Sequence, residues 1–167
     1  MNAKPLNTMK STAPRWLKWL SPLLRGRVIL DRFLDRLQAP ALLLARLYVA
    51  QVFFASGLTK LRDWDITLAL FMDDYKVPFL APEVAAWLGT LGEIGLPVLL
   101  VLGLGGRVAA LGLSVVNVVA VVSLAEIAPE ALQQHITWGV VLAGLALLGN
   151  GRWSLDSLLD RCFSTKQ

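Results

Sequence analysis

One cysteine and one histidine are all that this chain of 167 residues contains of the two most versatile catalytic side chains. A lone Cys162 cannot close an intramolecular disulfide, and without a Cys-x-x-Cys pair there is no dithiol to exchange with a quinone. A lone His135 cannot supply bis-histidine haem ligation, or a multi-histidine copper or di-iron site, within one chain. Methionine is scarce too: Met1, Met9 and Met72 are scattered and form no soft-metal relay. No metal or haem site is therefore expected within one chain.

Polar surface is also in short supply. Hydrophobic residues make up 56% of the chain and mean hydropathy is +0.60, more than a water-soluble domain can cover. The charges present are segregated. Eight of the sixteen Lys and Arg precede Ala39, whereas the stretches after Leu61 and Leu124 are mainly acidic. The sequence pI of about 9.6 does not point to nucleic acid, because the basic residues lie in a terminal arm rather than on a folded face.

Residues 1 to about 20 show no sustained period and read as a mobile arm. From Pro22 to Gln38, Leu23, Leu24, Val28, Ile29, Phe33 and Leu34 alternate with Arg25, Arg27, Arg32 and Arg36, a pattern that suits a basic amphipathic helix on an anionic membrane surface. Four apolar runs follow, over about 39–61, 82–104, 108–124 and 132–149, read as membrane spans, the first long enough to cross roughly 30 Å of hydrocarbon. Ile66 to Met72 predicts a short interfacial helix between Trp64 and Tyr75. The expected fold is an all-α membrane protein: a four-transmembrane-helix up-down bundle over residues 39–151, preceded by a basic cytoplasmic arm (1–38) and followed by a tail (152–167). Arg107 in the second-to-third turn, with Arg152, Arg161 and Lys166 in the tail, places both termini in the cytoplasm by the positive-inside rule.

Two charges lie inside these runs. An ionised group near the bilayer centre costs on the order of 3 kcal/mol on insertion scales, so Arg46 and Glu93 need partners or a purpose. The sequence expectation is that they pair with each other across the first and second spans, either as architecture or as a proton-exchange or ligand site. Helical spacing supports a shared interior. Arg46, Ala50, Phe53, Gly57 and Lys60 fall on one face, as do Ala86, Gly89, Glu93 and Pro97. Ala110, Ser114 and Asn117 form a polar stripe on the third helix, where such residues serve as interhelical glue or substrate contacts. Lys60 would snorkel to the outer surface, and His135 would lie near the same level.

The run Leu42 to Leu61, with Arg46, Gly57 and Lys60, resembles the first helix of the DoxX family. Val77-Pro78 with Ala81-Pro82, Gly92-Glu93 leading to Leu102-Gly103, and Gly149-Asn150-Gly151-Arg152-Trp153-Ser154-Leu155-Asp156 are similar to further family motifs, in order, over about Ala41 to Leu158. The resemblance implies a four-helix protein of the bacterial inner membrane. It also implies association with redox or stress systems, since the family takes its name from a small subunit associated with a terminal quinol oxidase, and relatives are linked to thiol redox maturation. Cysteine pairs of some distant relatives are absent here. The function expected is a non-catalytic subunit or scaffold of a redox or stress-response assembly, working with other membrane proteins or as a homo-oligomer, with space for a quinone-like or lipid ligand between the helices. A quinol-linked oxidoreductase component, with Glu93 handling the proton and Arg46 or Lys60 orienting a quinone oxygen, stays open, as does a small transporter or proton pathway.

Overall fold

The computed structural model describes the backbone of residues 15–164 and side chains from 26 to 163; of the irregular arm expected over residues 1 to about 20, residues 1–14 lie outside them, and the rest is helical, since α1 already begins at Arg15. Every regular element among these residues is a helix: α1 (Arg15–Arg62), α2 (Trp64–Asp73), α3 (Pro82–Leu102), α4 (Gly106–Val122), α5 (Pro129–Leu148) and α6 (Leu155–Ser164). Contacts divide the chain after Leu37 into Met1–Leu37 and Gln38–Gln167; the architecture described below belongs to the second unit.

The helix boundaries follow from local chemistry. Asp63 caps α2 by accepting a hydrogen bond from Ile66 N at 3.1 Å, one of the donors a helix start leaves unpaired. Pro82 and Pro129 open α3 and α5, where a missing N–H costs nothing. Gly103 (φ 69°) and Gly105 (φ 54°) make the α3–α4 turn in the left-handed region, which residues with a Cβ avoid. One boundary differs from expectation. The surface helix over 22–38 and the first span over 39–61 are not separate elements, because α1 runs without a break from Arg15 to Arg62. Pro40 removes only the amide that would bond the carbonyl of Arg36, and a helix tolerates that loss when the rest of its ladder holds.

Three described helices are long and apolar enough to cross a bilayer: Gly26–Arg62, Pro82–Leu102 and Pro129–Leu148. The expected third span, α4, is equally apolar but has only 17 residues, about 25 Å at the helical rise and short of the usual span. The protein is thus an all-helical membrane protein, in which α4 packs against both α3 and α5. The core is built from Val49 and Phe53 of α1, Leu100 of α3, Ala109, Ala110 and Leu113 of α4, and Leu142 and Leu145 of α5. Large apolar side chains such as Leu44, Leu91, Leu111, Val115 and Val140 are exposed on the outside, the inverse of a water-soluble helical protein and the pattern that lipid requires.

Candidate functional site

Two polar clusters mark the interior, one toward each end of the helices. Their positions follow from how α1 meets α3. A Cβ added to Gly57 would stand 3.1 Å from Glu93 Cβ, and one added to Gly103 would stand 2.6 Å from Arg46 Nη1. The helices are therefore antiparallel: moving from residue 57 back to 46 on α1 corresponds to moving from 93 forward to 103 on α3. Arg46 lies 11 residues from the level of Glu93, about 16 Å along the axis, too far for a side chain to cover. The expected Arg46–Glu93 pair does not form. Lys60, less than one turn beyond Gly57, takes that place, with Nζ 2.5 Å from Glu93 Oε2 and 3.0 Å from Ser56 Oγ. Instead of snorkelling outward, its ammonium turns inward, where its side chain is 20% exposed and that of Glu93 is 9% exposed.

Arg46 is fully buried in the other cluster. Its Nη2 donates to the Trp153 carbonyl, while its guanidinium lies beside Gly103, where α3 ends. The negative end of the helix macrodipole compensates part of the buried charge. The C-terminal motif closes over this point. Asn150 Nδ2 donates to Gly103 O at 2.9 Å and to Asp156 Oδ2 at 2.8 Å, and Asp156 accepts from Gly105 N at 3.0 Å. A Cβ on Gly106 would lie 1.5 Å from Asn150 Oδ1, so a larger residue there would push the Asn150 amide out of these bonds. The run from Gly149 to Asp156 is therefore a structural latch on the α3–α4 turn, and Arg46 is one of its buried supports.

The Lys60–Glu93 pair borders a cavity of about 640 Å³. Its wall is mainly apolar, with Phe53, Leu88, Val116, Val119 and Trp138, and its polar groups are Ser56, Lys60, Glu93, Tyr75, Ser123 and His135. An apolar chamber with a few convergent polar groups is the usual form of a small-molecule site. The loops after α2 and α4 join at one end of it: Lys76 N donates to Ser123 O at 2.8 Å, and Tyr75 and Leu124 form an isolated antiparallel bridge. Phe79, also on the wall, has φ 65° and is fully exposed, a strained setting for a bulky residue. Tyr75 stacks on Phe71 at 5.1 Å. Burial, and then the negative charges of Glu93 and Asp74, push its phenol pKa above the ordinary value, so the hydroxyl keeps its proton.

Asn117 and His135 come together. Asn117 Nδ2 donates to the His135 carbonyl at 2.9 Å and Asn117 Oδ1 lies 2.8 Å from His135 Nδ1. Trp138 meets the imidazole edge-on at 4.9 Å. Ser114 takes no part in the chamber wall; its hydroxyl donates to Ala110 O at 2.8 Å on its own helix. Of the residues singled out from sequence, Glu93, Lys60 and His135 line the cavity, Gly57 lets α3 approach α1 beside it, and Asn117 holds His135 from behind. Tyr75, Ser56 and Ser123 were not singled out as site residues. Tyr75 stood in the sequence as an interfacial anchor, and nothing in local spacing brings the α2–α3 loop over α4.

Comparison with curated proteins and with solved structures gives no match. The match that exists is to a family model, DoxX, over residues 41–126, a stretch that holds Arg46, Gly57, Lys60, Tyr75, Glu93 and Asn117 and leaves His135 and the C-terminal latch beyond its end. Covering more than half of the sequence, and carrying the helices that bring Lys60 to Glu93, this match makes the chain a member of the DoxX family.

Proposed function

We propose that the protein is a membrane-embedded binding subunit, which holds an amphipathic quinone-like or lipid molecule within its helices and serves a redox or stress-response assembly. The observation that supports this most is the pairing of a mainly apolar 640 Å³ cavity with an intramembrane ion pair at its wall. A pair serving stability alone needs no open space beside it, and a buried pair is often no more stable than an apolar replacement. The membrane placement is part of the same proposal. Four helices cross the inner membrane of a bacterium with both termini in the cytoplasm, α4 being a short span, and the basic residues before Ala39 keep the start of α1 on the cytoplasmic side. A subunit of this kind acts beside other membrane proteins or further copies of itself.

The test is purification from native membranes in a mild detergent or polymer disc, followed by organic extraction and mass spectrometry. Wild-type protein retains an amphipathic small molecule in near-stoichiometric amount, and Lys60→Met loses most of it while still folding. Equal and only trace amounts of lipid in both would remove the binding reading. A quinol-linked oxidoreductase component is the second reading, favoured by Tyr75, whose phenol lines the same cavity as Glu93. It requires that bound quinol change redox state when the purified subunit is mixed with its partner.

A further inference from the structure

The hydrogen-bond inventory of the cavity goes further and, resting on the binding reading above, narrows the ligand class. Asn117 Nδ2 bonds the His135 carbonyl at 2.9 Å. A carbonyl oxygen only accepts, so the amide nitrogen must be on that side and Oδ1 must face the ring. Oδ1 also only accepts, and it lies 2.8 Å from His135 Nδ1. In the neutral imidazole the proton is therefore on Nδ1, and Nε2 carries a lone pair. Nε2 has no hydrogen-bond partner among the described residues, nor is it among the sealed polar atoms of the interior, and its residue lines the cavity. On the wall formed by α1 and α3, Lys60 commits two of its three N–H groups, to Ser56 and Glu93, leaving one donor free. The Lys60 and Glu93 charges cancel.

We infer that the cavity accepts a neutral amphipath of the hydroquinone or alkoxyphenol type, whose hydroxyl donates to His135 Nε2 and whose other oxygen accepts from Lys60, and that Asn117 is the positioning residue that fixes the imidazole for this role. An anionic head group, a fatty-acid carboxylate or a lipid phosphate, brings a charge that the neutral pair does not balance into a mainly apolar chamber, which is costly. A molecule with acceptors only, such as a fully methylated ether, leaves Nε2 unpaired, and an unmet polar group disfavours binding more than a met one favours it.

Two measurements test this on the full-length protein. Because His135 is the only histidine, nitrogen-15 histidine labelling gives one pair of ring signals. At neutral pH they show a protonated Nδ1 and an unprotonated Nε2 in wild type, and a mixture of tautomers in Asn117→Leu. The second measurement compares three probes on one alkyl chain: a hydroquinone, its dimethyl ether and a carboxylic acid. The hydroquinone binds wild type at least about tenfold more tightly than either of the others, and the preference over the ether shrinks to about twofold or less in Asn117→Leu. A ring protonated at Nε2 or at both nitrogens overturns the inference while leaving ligand binding intact. Binding led by the ether or the acid does the same. Failure of all three probes, with the ring signals as expected, overturns both the inference and the binding subunit it rests on. Should Asn117→Leu not fold, the wild-type ring signals and the probe order still decide.

Discussion

Within hydrocarbon a single charge is decided by reach. Lys60 finds Glu93 because Gly57, one turn earlier, lets α3 come close, whereas Arg46 is 11 residues away from that level and is stabilised by Trp153 and the end of α3. Two outcomes follow for stability in detergent. Glu93→Leu leaves the Lys60 ammonium without its partner and lowers stability by about 2–4 kcal/mol, less than for a fully buried pair because Lys60 keeps some contact with the cavity, while Lys60→Met combined with Glu93→Leu recovers most of the loss. Arg46→Leu and Glu93→Leu, by contrast, add within about 0.5 kcal/mol, as separated sites do; a coupling well above that in a double-mutant cycle would restore the pair that the geometry excludes. Tyr75 offers a pH readout. Its phenol pKa is raised by burial first and by the Glu93 charge second, so ultraviolet titration in a Tyr48→Phe background, which leaves Tyr75 as the one tyrosine, shows it ionising above the free value, and Glu93→Gln brings it down. The sign for stability follows: a tyrosine with a raised folded pKa contributes stability below its unfolded pKa of about 10, and that contribution is lost as pH rises toward the folded value. An unchanged titration in Glu93→Gln would mean that Glu93 and Tyr75 do not share the chamber.

Helix pairs show what a one-dimensional pattern carries and what it omits. Spacings of three and four placed Arg46, Ala50, Phe53 and Gly57 on one face of α1, and all four are buried. The same periodicity says nothing about axial offset between two helices, which depends on the α2–α3 connection and on where a glycine permits contact. The pattern thus puts Arg46 on the buried face of α1 but cannot say that Glu93 pairs with Lys60 instead. The latch shows a similar limit. Gly149 to Asp156 stood out as a motif, yet its role depends on Gly106, 44 residues before Asn150, having no side chain. Gly106→Ala puts a methyl group into the Asn150 amide and lowers stability by about 2 kcal/mol or more through lost hydrogen bonds. Gly95→Ala and Gly144→Ala meet nothing within 4 Å and raise stability by up to about 1 kcal/mol through helix propensity. Thermal unfolding of the three variants checks the contrast, and a neutral Gly106→Ala would refute the latch.

For the molecule as a whole, composition and charge segregation made the membrane legible, and the helix boundaries came within a few residues of those observed for α2, α3, α4 and α5. The continuity of α1 was not legible, because Pro40 and the change from basic to apolar residues both look like a boundary, while a helix in fact tolerates one missing bond. Topology remains a prediction of flanking charge: accessibility labels after Met9 and near Cys162 report the cytoplasm and one near Asp74 reports the opposite side, whereas protection of Asp74 from outside would require a different number of crossings. The binding chamber itself is most directly tested by filling it. Gly89 lines the cavity, and a Cβ there would meet only Phe71 Cζ at 3.5 Å, an ordinary contact, so Gly89→Leu places a side chain in the cavity with both members of the Lys60–Glu93 pair retained. Titration of wild type and Gly89→Leu with a long-chain hydroquinone, beside their unfolding temperatures, is expected to show equal stability and at least tenfold weaker binding in the filled variant, on the order of 1.4 kcal/mol; equal stability with unchanged affinity would show that the ligand binds elsewhere and that the cavity is not the site.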